Sequence, residues 1–272
     1  MKFFISYQLY EGAGFFARFT VVMEHLMIME DMDENLTPFM DFQTLKSNLH
    51  DYTNDETSNE WNYCFDQDYD YETVYSSEHI KSDGLFRQVY IPPQGKNFRD
   101  KVLVKRINDL YTKYIKVKPE IISKINPEIE KYKTLAVHCR RTDMVKDHPN
   151  IGLNYSNETF YNKIKKIFDE GGFEKIYLAT EELELLNYLK FKFGNKLIYQ
   201  DCFRIIGNQS PVFYLDPRPL HRTLQCQEVL LDALNMANCD SLLCGISGVS
   251  NGTIYINGLK FKDVYYFDEI NL

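Results

Sequence analysis

The segment Thr134–Asp143, TLAVHCRRTD, holds a short apolar run, Leu135–Val137, that leads straight into His138, Cys139 and two adjacent arginines. An apolar run of this length between polar neighbours predicts a buried strand. Two arginines at the end of such a strand need anions, because a buried cation is costly unless something pairs with it. The C-terminal ends of parallel strands are where open α/β sheets bind ligands. Arginine grips phosphate there in a planar, bidentate way that lysine cannot. The residues alone leave two accounts open. Arg140 and Arg141 meet an anionic ligand, or one or both pair with a carboxylate elsewhere in the fold.

Downstream of this segment strands and helices alternate. Ser156 is placed to cap a helix carrying Phe160, Ile164 and Ile167. Lys175–Ala179 reads as a strand, Glu181–Phe193 as its helix and Lys196–Gln200 as a third strand. A long loop, Ile205–Thr223, contains Pro211, Pro217 and Pro219, and its length marks it as an active-site cover. Gln225–Met236 follows as a helix, Ser241–Cys244 as a strand, Gly245–Gly252 as a glycine- and serine-rich turn, and Asp263–Phe267 as a last strand. Such alternation predicts a parallel sheet with helices on its faces.

Upstream, a strand begins at Lys2 and runs toward Tyr10, and Glu11-Gly12-Ala13-Gly14 turns into a helix over Ala17–Met29. Strand, Gly-x-Gly turn and helix make the first half of a Rossmann-like unit, although Arg18 and Phe19 stand where a third glycine would complete the dinucleotide fingerprint. The turn has a purely structural account too, since glycine suits a tight turn with positive φ. Residues 31 to 100 are rich in Asp, Glu, Asn and Tyr. Asp66-Gln67-Asp68-Tyr69-Asp70-Tyr71-Glu72 has the clustered carboxylates that hard cations favour, but Ser77 occupies the twelfth place, where an EF-hand loop has glutamate. A solvated acidic loop accounts for it, and no metal is expected. Asp100–Tyr114 reads as an amphipathic helix, and Pro119 suits a second helix start.

The 272 residues, 44% hydrophobic and 26% charged, describe an ordinary globular chain long enough for one large domain or two lobes. A net charge of −8 disfavours non-specific nucleic-acid binding, while leaving room for a local basic pocket. No run has the length of a membrane span or the form of a signal peptide, so the expected location is cytoplasmic. The six cysteines show neither C-x-x-C nor zinc spacing and read as small core residues.

His138-x-Arg140-Arg141-Thr142-Asp143 after a strand resembles the central motif of the α1,6-fucosyltransferases, a superfamily that includes the nodulation fucosyltransferases and the protein O-fucosyltransferases. Two further segments resemble that family in the same order, Tyr177–Glu182 (YLATEE) and Glu228–Ser247 (EVLLDALNMANCDSLLCGIS). The likeness spans residues 134 to 255 and departs from the family at Met144, where lysine is common, and at its catalytic glutamate, which has no glutamate counterpart.

The resemblance implies an α/β fold that is GT-B-like, with two Rossmann-like lobes facing across a cleft. Residues 1–125 would form the acceptor-side lobe and 126–272 the nucleotide-sugar-binding lobe. It implies an inverting, metal-independent transferase moving fucose from GDP-fucose to a glycan hydroxyl. A donor such as UDP-xylose on the same fold, or a non-catalytic sugar- or nucleotide-binding protein, remains the alternative. Arg140 would hold the diphosphate, helped by backbone N–H groups and hydroxyls of Ser247, Gly248, Ser250 and Asn251. Gly12, Gly14 and Arg18 would face substrate. Asp232 would bind the guanine or be a paired core carboxylate, and His138 would fix the motif loop or touch nucleotide. Asp147 and His148 occupy the loop where the family glutamate falls, so the general base is sought between them.

Overall fold

The computed structural model describes residues 1–6, 14–33, 35–41, 59–82, 99–141, 153–207 and 215–271. The chain divides into two compact units, one of Met1–Lys124 with Leu220–Leu230, the other of Ile125–Pro219 with Leu231–Leu272. Among the described residues no helix is long and apolar enough to cross a membrane. Gly12, Asp143, Asp147 and His148 lie outside the described residues.

The first unit opens with β1 (Lys2–Ser6), α1 (Phe15–Met32) and β2 (Thr37–Asp41), a β–α–β start with both strands parallel. Helix α1 is apolar nearly all round and is buried accordingly, with Phe16, Phe19, Val22, Leu26 and Met29 in the core. After β3 (Phe65–Asp66), β4 (His79–Lys81) joins the far side of β1, so the parallel sheet runs β2-β1-β4. Helix α2 (Lys101–Tyr114) is capped by Asp100, whose carboxylate accepts from the N–H of Val102 and Leu103, and β5 (Lys116–Val117) pairs antiparallel with β3.

The outer edge of β2 is closed by side chains. Met40 N–H donates to Gln67 Oε1 at 2.7 Å, and its carbonyl accepts from Gln67 Nε2 and Asn59 Nδ2. Pro38, on the same side of the strand two residues earlier, has no N–H to offer. An open edge is thereby denied to another strand.

The acidic run has local partners as well. Asp68 pairs with Lys116 at 2.5 Å, and Asp70 caps the short helix Tyr71–Tyr75 by accepting from Thr73 N–H.

The second unit alternates β6 (Thr134–Cys139), α3 (Asn157–Gly171), β7 (Lys175–Thr180), α4 (Leu183–Phe193) and β8 (Leu197–Tyr199). It continues with the C-terminal part of α5 (His221–Ala237), β9 (Ser241–Cys244), α6 (Gly248–Asn257) and β10 (Val264–Tyr266). All five strands are parallel, in the order β10-β9-β6-β7-β8. Strand β6 is central and all six of its residues are buried, as a strand covered on both faces requires.

Alternation along the strands divides the side chains between two layers. Leu135, Val137 and Cys139 join Ile176, Leu178 and Leu243 in a core with Phe160 and Ile164 of α3 and Leu185 and Leu189 of α4. Tyr177 and His138 face the other way and meet α5 and α6, through Asp232, Asn235 and Ser250. Helix α3 starts at Ser156, whose hydroxyl accepts from Thr159 N–H at 3.1 Å, and stops at Gly172 in the left-handed conformation, φ 60°.

Candidate functional site

In an open, doubly wound sheet the ligand crevice lies outside the carboxyl ends of the strands where the strand order reverses direction. Here the chain builds outward from β6 through β7 to β8, then returns to the other side of β6 to lay down β9 and β10. The reversal falls between β6 and β9. The residues that leave these two strands are His138–Arg141 and Gly245–Ser247.

His138 is 4% exposed, and its Nδ1 lies 2.9 Å from Ser250 Oγ and 3.3 Å from Ser247 Oγ. Ser247 is the N-cap of α6, its hydroxyl accepting from Ser250 N–H at 3.1 Å, while Ser250 Oγ donates to Gly245 O at 2.7 Å. Burial first, and the Arg140 guanidinium second, push the His138 imidazole down to about 3, so the ring is neutral at physiological pH. Asn251 lies in the first turn of the same helix, and its Oδ1 is buried without a hydrogen-bond partner among the described residues. The Ser247–Gly252 segment is therefore not a free turn: helix begins at Gly248. Its first N–H groups form an electropositive end suited to an anion.

The two arginines have different surroundings. Arg141 is tied into the fold: Nη2 meets Glu182 Oε2 at 2.6 Å, Nη1 donates to Tyr155 O at 2.6 Å, and the backbone N–H donates to Glu181 Oε1 at 2.9 Å. Glu182 is 1% exposed, so this pair is a buried brace at the ends of β6 and β7. Arg140 Nη1 stands 3.7 Å from Glu181 Oε2, a looser contact, and its side chain is 28% exposed. Arg140 thus has the more exposed side chain of the two, against 15% for Arg141. The sequence segment YLATEE contains both acids, yet nothing in its spacing tells that Glu182 braces Arg141 and Glu181 spans both arginines.

Asp232 Oδ1 accepts from Tyr177 OH at 2.6 Å, and Asn235 Nδ2 donates to the same phenol oxygen at 3.1 Å. Burial chiefly, then the neighbouring Asp232 carboxylate, hold the Tyr177 phenol well above its usual range, which keeps it protonated as the donor. Asp232 is half-buried, and this contact makes it a hydrogen-bonded carboxylate at the base of the α5 layer. Cys139 points into the opposite core, fully buried, and burial raises its thiol far from the reactive range.

Two expectations for the first unit change. Gly14 caps α1 with φ −66° and ψ 164°, a backbone any residue adopts, so no positive φ calls for glycine there. Arg18 is 3% exposed and pairs with buried Glu60 inside the first unit, so it does not face substrate. Among the described residues no group of three or more His, Cys, Asp and Glu is placed to hold a metal ion.

The second unit is a doubly wound α/β fold whose strand order reverses beside β6. No protein-family profile matches the chain, and no curated protein matches it. Solved structures do match in fold. The fucosyltransferase NodZ from Bradyrhizobium aligns with TM-score 0.56 and 14% identity over 98% of this chain and 96% of its own. NodZ α-1,6-fucosyltransferase co-crystallised with GDP aligns with TM-score 0.53 and 13% identity, over 93% and 91%. POFUT1 in complex with GDP-fucose aligns with TM-score 0.57 and 9% identity, over 99% and 98%. The chain has a fucosyltransferase-like fold.

Proposed function

We propose that this chain is an inverting glycosyltransferase that moves fucose from GDP-fucose to a glycan hydroxyl without a metal ion. The observation that carries the reading is the convergence at the β6–β9 reversal, where Arg140 follows a buried His138 held by the first turn of α6. A nucleotide-sugar transfer needs its diphosphate leaving group stabilised by fixed positive charge. Arg140, with a side chain 28% exposed, and the α6 N-terminus would supply such charge. The structures of the same fold that carry GDP or GDP-fucose in their names support the choice of donor.

In this reading Ser247, Gly248, Ser250 and Asn251 line the diphosphate side, Asp232 helps hold the nucleotide, and Asp147 takes the acceptor proton with His148 beside it. Residues 1–125 serve the acceptor side, while Gly12 and Gly14 are assigned to the donor. A panel of nucleotide sugars tests the donor directly. GDP-fucose should raise the melting temperature and release GDP in the presence of a glycan acceptor. A response to UDP-xylose alone would replace the donor, and binding without turnover of any sugar would leave a binding protein.

A further inference from the structure

Arg204 is a buried cation with no part in the site described above. It is 8% exposed, and its guanidinium donates to three carbonyls: Nε to Thr180 O at 3.1 Å, Nη1 to Cys202 O at 3.2 Å and Nη2 to Gln200 O at 2.6 Å. Among the described residues no carboxylate pairs with it. A buried guanidinium is costly unless its N–H groups are met, and here backbone oxygens meet them. Those oxygens belong to the last residue of β7 and to the segment that leaves β8, so one side chain fastens that segment across the end of β7. The next residue completes the attachment: Ile205 N–H donates to Glu181 O, and Ile205 O accepts from Leu183 N–H, both at 2.9 Å.

Bonds from Arg204 and Ile205 therefore fall on Thr180, Glu181 and Leu183, on both sides of the two acids that hold the arginines. Glu181 Oε1 accepts from Arg141 N–H, its Oε2 lies 3.7 Å from Arg140 Nη1, and Glu182 is the buried partner of Arg141. A carboxylate fixes a guanidinium only as well as its own backbone is fixed. We infer that Arg204 is a positioning residue: by clamping Thr180–Leu183 it sets the Glu181 and Glu182 carboxylates, and through them the turn that presents Arg140. Arg204 itself touches no ligand. A guanidinium suits the task because its rigid fork reaches three separate oxygens from one plane, which neither an ammonium nor an amide can match. The inference rests on the diphosphate reading of Arg140 given above.

Two readouts test it, each in wild type, Arg204→Gln and Arg204→Lys. The first is amide hydrogen exchange at Arg141, whose N–H is bonded to Glu181. It should quicken by about tenfold or more in the glutamine variant and by less in the lysine variant, while exchange at Val137 in β6 holds. The second is calorimetric affinity for GDP and GMP. The gap between the two should shrink by up to about tenfold in Arg204→Gln, with GMP within about twofold of wild type and the lysine variant in between. Unchanged exchange at Arg141, or exchange that rises equally at Val137, would overturn the inference and leave the diphosphate assignment intact. Equal weakening of both nucleotides would overturn it too, because that is what a merely structural role gives. If the glutamine chain does not fold, the lysine variant decides on the same readouts. A wild type with no preference for GDP over GMP would remove the diphosphate assignment itself, and the inference with it.

Discussion

His138 gives the site a pH signature. An unfolded histidine titrates near 6.5, whereas burial and Arg140 bring the folded residue down to about 3. Between those values the unfolded chain binds a proton that the native chain does not. The stability from the neutral ring is therefore complete above about pH 6.5 and is lost as pH falls toward 3, at a slope of up to about 1.4 kcal/mol per pH unit. Urea denaturation at pH 7, 6 and 5 should show this loss before most carboxylates titrate, with a flatter profile in His138→Gln; parallel profiles would contradict it. A second residue-scale prediction concerns the acceptor proton. Asp147→Asn should lower transfer by about 10²-fold or more with GDP affinity nearly unchanged. Near-normal turnover in that variant, with His148→Ala inactive, would pass the role to His148. At this scale the sequence was informative about residue type and silent about partners. Two adjacent arginines announce an anion, but Glu182 lies 41 residues from Arg141 and Glu60 lies 42 from Arg18.

Elements were legible where local chemistry and tertiary context agree. The apolar runs at β6, β7 and β9 read as strands because each is buried on both faces, and Ser156 read as a cap because its hydroxyl can reach Thr159 N–H. Ser156→Ala should cost about 1 kcal/mol of unfolding free energy while transfer is unchanged, since among the described residues the Ser156 hydroxyl bonds only to Thr159 in the first turn of α3. Unchanged stability would mean that the start of α3 is held by its packing alone. Elsewhere propensity misleads. Gly248, Gly252 and Thr253 are weak helix formers, so the start of α6 looks like a turn. Its Ser247 cap and the burial of Ile254 and Tyr255 outweigh that preference. Helix α5 similarly starts at His221, four residues before its apolar pattern becomes clear, directly after the Pro217–Pro219 stretch.

For the whole molecule, the five-stranded order β10-β9-β6-β7-β8 is what brings residues more than a hundred positions apart to one reversal point. Alternating strands and helices foretold a parallel sheet. They did not give its order, because each apolar run would suit any interior position. If Arg140 and the α6 N-terminus meet the diphosphate as proposed, EDTA should leave fucose transfer largely intact. Full loss on chelation, restored by manganese or magnesium, would require a carboxylate site instead.

The most direct test is calorimetric binding of GDP and GMP to the wild type and to Arg140→Ala. The second phosphate should give the wild type about tenfold or more advantage for GDP, and the alanine variant should lose most of that gap while GMP affinity holds. Equal affinities for the two nucleotides in the wild type, or an undiminished preference for GDP in the variant, would contradict the placement of the diphosphate at this site.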